Sequence, residues 1–158
     1  MSHAARTLDA DDAFGAHPMD TWLPHRGRMR LIDRVERCDD TTIACTATVR
    51  QDGLFTGTDG MPAWIGIELM AQAAAAWAGA RARADGGAPR IGFLVGARRY
   101  DAYVPMFTVG AQLSVTAVCA LAGASGMRLF DCTIAHAGRE LASGRIGVYE
   151  AMPGPQGD

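Results

Sequence analysis

Pro62-Ala-Trp-Ile-Gly-Ile-Glu68-Leu-Met-Ala-Gln72-Ala-Ala-Ala-Ala-Trp77-Ala-Gly-Ala-Arg-Ala-Arg-Ala84 is the stretch that decides the fold. A proline at its head suits the first turn of a helix, where a backbone N–H is not needed. From Ala63 to Ala84 alanine, leucine, methionine and tryptophan dominate, and Gly86-Gly87 ends the run. Up to Ala80 the only strongly polar side chains are Glu68 and Gln72, four residues apart and therefore on one face. A helix that is apolar nearly all the way round must be enclosed by other structure rather than laid on a surface.

Strand-like runs supply that enclosure. Ile43, Cys45, Ala47 and Val49 alternate with Ala44, Thr46 and Thr48. Gly92 to Val95 is short and apolar, and Val109 to Leu121 puts Ala111, Leu113, Val115, Ala117, Cys119 and Leu121 on one face. Met127 to His136 and Leu141 to Glu150 flank Ala137-Gly138, a plausible hairpin turn. One buried helix followed by long antiparallel strands predicts an α+β domain, a sheet curled around a central helix.

Length and composition narrow the function. With 158 residues the chain fits one domain, expected over residues 21–151, between a flexible arm (1–20) and a tail broken by prolines and glycines (152–158). A net charge of −2 offers no global field for nucleic acid. The longest apolar run, Ala73 to Ala80, is too short to span a bilayer, so no membrane span is expected. Met1 to Asp20 lacks the apolar core of a secretory signal, which points to the cytoplasm. Cys38, Cys45, Cys119 and Cys132 show neither C-x-x-C pairing nor metal-ligand spacing, so they read as reduced core residues, with no metal. No glycine-rich phosphate loop follows a strand, and no cofactor is expected.

Two segments carry a resemblance. Leu23-Pro-His25-Arg26 leads into Met29-Arg-Leu-Ile-Asp-Arg-Val35. Gly53-Leu-Phe-Thr-Gly57 leads through Met61-Pro62 to Glu68-Leu-Met-Ala-Gln72. Together they resemble the beta-hydroxyacyl-carrier-protein dehydratases, in the right order and over roughly a third of the chain. Trp64 to Gln72 with Gly92 to Val95 further resembles the dehydratase-like subgroup associated with aryl polyene biosynthesis. The resemblance implies a hotdog fold, a dimer, and an acyl chain delivered on the phosphopantetheine arm of an acyl carrier protein. It also implies a hydro-lyase mechanism. A histidine removes the α-proton of a 3-hydroxyacyl thioester, a helix carboxylic acid protonates the departing hydroxyl, and a backbone amide at the helix N-terminus holds the thioester carbonyl. On this chain the acid corresponds to Glu68, the amide to Ala63 and a polar partner of the acid to Gln72. Leu54, Phe55, Gly57, Met61 and Trp64 correspond to the substrate-binding surface.

One position departs from the pattern. Fourteen residues before Glu68, where the family carries its histidine, stands Leu54, still framed by Gly53, Phe55 and Gly57. Leucine cannot take a proton. His25 belongs to the Leu-Pro-His-Arg element, where the resemblance implies a structural role, with service as a replacement base the lesser alternative, and Arg26 and Asp33 are candidates to pair beside it. Glu68 has Ile65, Ile67, Leu69 and Met70 around it, a setting expected to raise a carboxyl pKa. Arg26, Arg28 and Arg30, with Arg81, Arg83, Arg90, Arg98 and Arg99, form either a solvated face or a basic rim for an acidic carrier protein. Three readings follow: the acid-donating subunit of a homodimeric or heterodimeric dehydratase in fatty-acid or aryl polyene biosynthesis, with a histidine-bearing hotdog paralogue as partner; a hotdog thioesterase using Glu68; or a non-catalytic acyl-binding scaffold.

Overall fold

The computed structural model describes residues 8–9, 19, 23–86, 92–123 and 125–150. Among these the nine strands are β1 (Leu8–Asp9), β2 (Arg34–Cys38), β3 (Thr42–Thr48), β4 (Met61–Pro62), β5 (Gly92–Ala102), β6 (Met106–Phe107), β7 (Gln112–Ala122), β8 (Met127–His136) and β9 (Arg139–Glu150). A short 3-10 turn, Ala63–Ile65, runs into α1 (Gly66–Ala84), the one α-helix among the described residues. The main sheet is antiparallel, in the order β1-β2-β3-β7-β8-β9-β5, with β4 and β6 forming a separate pair.

The helix lies against the sheet's inner face. Leu69, Met70, Ala73, Ala74, Ala76, Trp77 and Ala80 are buried, and they meet Ile43, Cys45, Leu113, Val115, Phe130 and Ile134 in one core. Alanine is the useful residue here, because a side chain of one carbon lets the strands approach the helix closely. Trp77 is the bulky exception. Its ring meets Phe130 edge-on at 5.6 Å, and its indole N–H donates to the Asp39 carbonyl at 3.1 Å. Arg81 and Arg128 cover the ring at 5.0 and 5.2 Å. Three of the cysteines are buried and all four are free. Burial pushes the Cys38 and Cys132 thiols up to about 12.

The helix and hairpin expected from the sequence are present. Asp85 ends the helix and Gly86 follows at φ +81, the left-handed conformation of a helix stop. Ala137 and Gly138 both have positive φ (49 and 78), which a two-residue hairpin turn of the primed type requires. Elsewhere the structure differs. Strand β5 runs to Ala102, well past Val95, because an edge strand keeps its ladder with charged and small residues facing water. The inward face of β7 ends early. A register shift lies between Cys119 and Leu121, and Leu121 is exposed. Leu8–Asp9, within the expected arm, pairs with Arg37 and Cys38, and two residues are too few for a sequence pattern to reveal. The remainder of that arm apart from Met19, and the expected tail, lie outside the described residues. Among the described residues no helix is long and apolar enough to cross a membrane.

The start of α1 is fixed by a tight contact. Tyr100 on β5 donates its hydroxyl hydrogen to the Ala63 carbonyl, and Gly66 leaves room for that ring. A methyl group at Gly66 would collide with the Tyr100 hydroxyl and press on Ile134 Cδ1 at 3.0 Å. Gly66→Ala should therefore lower stability by about 1–3 kcal/mol in urea unfolding. Combining it with Tyr100→Phe should cost less than the sum of the two single changes, since the hydroxyl is part of the clash.

Candidate active site

Gln72 organises the polar heart of the protein. Its side chain is fully buried. Its Oε1 accepts the backbone N–H groups of Leu31 at 2.8 Å and Ile32 at 3.4 Å. Its Nε2 donates to the Met29 carbonyl at 2.7 Å and to Glu68 Oε1 at 3.0 Å. A carboxamide offers two N–H donors and two acceptor lone pairs, and all four are used. The same side chain thus satisfies backbone groups and orients the acid one turn earlier.

Glu68 stands in the first turn of α1, with a side chain about one-third exposed. His25 Nε2 lies 3.5 Å from Glu68 Oε1, the oxygen that Gln72 also contacts. His25 Nδ1 is buried with no hydrogen-bond partner among the described residues. The hydrogen bond from His25 holds the Glu68 carboxyl below its ordinary value, outweighing the upward push of desolvation; Gln72 adds to the lowering. This corrects the expected upward shift. Apolar neighbours do desolvate the acid, but two donors converge on its charged form.

Ala63 is buried, and its N–H donates to the Pro105 carbonyl at 3.1 Å. The amide assigned to a thioester carbonyl is therefore already engaged, continuing the pairing of Met61 with Phe107 and Pro62 with Met106.

The remaining expected site residues gather elsewhere. A 270 Å³ cavity is lined by Leu31, Val49, Leu54, Phe55, Met61 and Leu69, among others. An open cleft of 490 Å³ is lined by Leu54, Phe55, Gly57, Pro62, Trp64 and Met106, among others. Leu54 and Phe55 belong to both, and Glu68, Gln72 and Ala63 to neither. Trp64 is 66% exposed, so it packs into no core of this protomer.

Several polar pairings depart from expectation. Asp33 binds Arg50 at 2.9 Å and the Thr48 N–H at 2.7 Å rather than Arg26. The Arg26 guanidinium turns back onto the Leu23 and His25 carbonyls, where it fixes the Leu-Pro-His-Arg turn. Among the arginines weighed as a basic rim, Arg28 donates to the Asp52 carbonyl at 2.8 Å, while Arg81 and Arg99 lie 3.4 and 3.1 Å from Asp40 and Asp101; Arg90 lies outside the described residues. No group of three or more His, Cys, Asp or Glu suited to a metal occurs among the described residues. The contact at the candidate acid that sequence reasoning missed is His25 against Glu68. The two are 43 positions apart, and no spacing rule links them.

Comparison with known proteins places this geometry. A family model described as ApeP-like, ApeP dehydratase, matches residues 17–156. A chain of the dehydratase heterocomplex ApeI:P from Xenorhabdus doucetiae is 32% identical, with a TM-score of 0.80, covering 87% of this chain and 93% of that one. S. sahachiroi AziG is similar at 20% identity, TM-score 0.58, over 74% of this chain and 89% of its own. A hypothetical thioesterase with coenzyme A from Streptococcus pneumoniae is similar at 12% identity, TM-score 0.59, over 75% and 84%. The last two likenesses show a shared fold, the hotdog fold, and nothing finer. No curated protein gives a significant match.

Two outcomes test the site's wiring. Gln72→Leu strips partners from the Leu31 and Ile32 amides and should cost roughly 2–4 kcal/mol in chemical unfolding. The acid limb of stability should depend on Glu68. Because the folded protein holds this carboxyl below its ordinary value, ionisation favours the native state at neutral pH. That gain is lost as the pH falls from about 5 through the lower folded value. Melting temperatures of Glu68→Gln should therefore fall less steeply across this range than those of the wild type.

Proposed function

The chain belongs to the ApeP-like dehydratase family, and on that premise we propose that it is the acid-donating subunit of a two-chain hotdog dehydratase. Its substrate is a 3-hydroxyacyl thioester presented by an acyl carrier protein, in aryl polyene or related fatty-acid assembly. The partner is a second hotdog chain that carries the loop histidine absent here. The heterocomplex containing the Xenorhabdus doucetiae chain supports a partner of this kind.

One observation carries the reading. Glu68 is oriented by Gln72 on the helix, whereas Leu54 lines two clefts whose linings do not include Glu68. An acid and a base loop that do not meet within one protomer fit composite sites built across a dimer. In the productive composite site the partner's histidine takes the α-proton, the electron pair becomes the new carbon–carbon double bond, and the 3-hydroxyl departs as water with a proton supplied through Glu68. The amide of Ala63 would turn from the Pro105 carbonyl to the thioester carbonyl at the positive end of α1. Leu54 supplies only apolar surface, so the mirror-related site has no base on this chain.

A thioesterase reading draws on the lowered Glu68 pKa, since an ionised carboxylate suits attack on a thioester or activation of water. Products separate the readings. Mass spectrometry of a 3-hydroxyacyl carrier-protein thioester, incubated with this chain plus a histidine-bearing hotdog paralogue, should show loss of water only in the mixture. Glu68→Ala should reduce that rate by about 10²–10⁴-fold. Release of a free acid would instead indicate hydrolysis. A Glu68→Ala mixture as active as the wild type would leave this chain a scaffold.

A further inference from the structure

The loop that lacks a base still shapes two spaces. Leu54, Phe55 and Thr56 line both the open 490 Å³ cleft and the 270 Å³ cavity, so the two adjoin at position 54. The cavity reaches into the core: Val49, Met61, Leu69 and Leu113 line it, and all four are buried. Phe55 packs against the same core from the loop. A ligand entering by the cleft would therefore pass Leu54 before its tail meets the helix and the sheet.

Size and charge narrow what fits. An engineered cavity of roughly 150 Å³ with apolar walls admits a benzene ring, and by that ratio 270 Å³ accommodates about ten carbon atoms. The core side of the cavity is apolar and its loop side is charged, but those charges are matched. Arg28 donates to the Asp52 carbonyl at 2.8 Å, Arg50 pairs with Asp33 at 2.9 Å, and Arg30 has a partner as well. Among the described residues that line the cleft, Asp59 is the one ionisable side chain, with the Thr56 and Thr58 hydroxyls near it in sequence. A carboxylate head would meet that negative charge while the arginines of the cavity are engaged elsewhere. A thioester, ester or amide head is neutral and can accept hydrogen bonds from hydroxyls.

We propose that the Leu54 side of this chain is an acyl-holding site, which binds a neutral, unbranched acyl chain of about ten carbons and does not convert it. The tail lies in the 270 Å³ cavity and the head in the cleft. Leucine beside the chain takes no proton and adds apolar contact, so replacement of a base at this position removes chemistry while it favours binding. The site is separate from the acid: Glu68 lines neither space. It therefore goes beyond the dehydratase reading, and it stands whether or not an assembled complex dehydrates.

The test is calorimetric titration of the full chain with pantetheine amides of straight-chain acids, from hexanoyl to tetradecanoyl. These amides carry a neutral head and lack the thioester and the 3-hydroxyl, so neither hydrolysis nor dehydration disturbs the measurement. Affinity should rise about fourfold per methylene while the tail fills the cavity. It should level off near the decanoyl compound, where the volume is used up. Leu54→Asp should weaken decanoyl binding at least about tenfold, by setting a charge beside the chain. Val49→Phe should do the same by filling the cavity from the core side. If Val49→Phe unfolds the protein, Leu54→Asp decides alone, since an exposed position tolerates the change. Affinity that keeps climbing to tetradecanoyl and ignores Leu54→Asp would show adsorption to apolar surface and overturn the proposal. So would the absence of any binding. Free decanoate bound as tightly as its amide would overturn the choice of a neutral head.

Discussion

A single buried carboxamide connects fold and chemistry in this protein. Burying an unpaired amide costs about 1–3 kcal/mol on mutational scales, so a lone glutamine in an alanine-rich helix demands partners. Gln72 finds them in the Met29 carbonyl, at the end of the 3-10 turn Gly27–Met29, and in the Leu31 and Ile32 amides just beyond it, a segment that belongs to no sheet. Its fourth hydrogen bond goes to Glu68. The segment leading into β2 is thereby tied to α1 in one register, and the turn carrying His25 comes with it. The orientation of the acid is thus a by-product of satisfying buried backbone.

The enclosing sheet makes that arrangement rigid. Small residues on α1 allow the strands close approach, and the first turn is wedged between Tyr100 at the Ala63 carbonyl and Pro105 at the Ala63 amide. Side chains locked in a close-packed interior transmit position accurately. Glu68 therefore sits at the edge of a stiff element, one-third exposed, with its apolar neighbours turned into the core. Rigid support of this kind is what a carboxyl needs if it must meet substrate without prior rearrangement, whereas the Ala63 amide would first have to leave the Pro105 carbonyl.

Much of this was legible in the sequence because it depends on periodicity and composition. The apolar circumference of residues 63–80 required an enclosing sheet, the alternation from Ile43 to Val49 gave a strand with one buried face, and Ala137-Gly138 gave a hairpin. Glu68 and Gln72 stood out as the two polar breaks in an apolar helix, and they do contact each other. Less legible was whatever depends on long-range contact or on backbone pairing without a side-chain signature. The length of β5, the bulge after Cys119, the pairing of Leu8–Asp9 and the Pro105–Ala63 hydrogen bond are of this kind. The direction of the Glu68 shift was misjudged for a related reason. Helix neighbours reveal desolvation, whereas the donor that outweighs it comes from a distant turn.

On the composite-site reading proposed above, the absence of Glu68 from the clefts that Leu54 lines also fits a chain of this fold with no base at position 54. Leu54 is 43% exposed in a loop lined by open clefts, so its identity bears little on the core. Gly53 is constrained by contrast, since a side chain there would crowd Thr56 and the Arg50 carbonyl. Loop shape and loop chemistry are therefore governed by different residues: Gly53 preserves the turn whatever stands at position 54. The acid half has no such freedom, because Glu68 is wired through Gln72 into the buried backbone of a neighbouring segment. In a two-fold assembly with composite sites, each chain needs to keep only one half intact for one site to work. The half this chain keeps is the one its fold cannot easily give up.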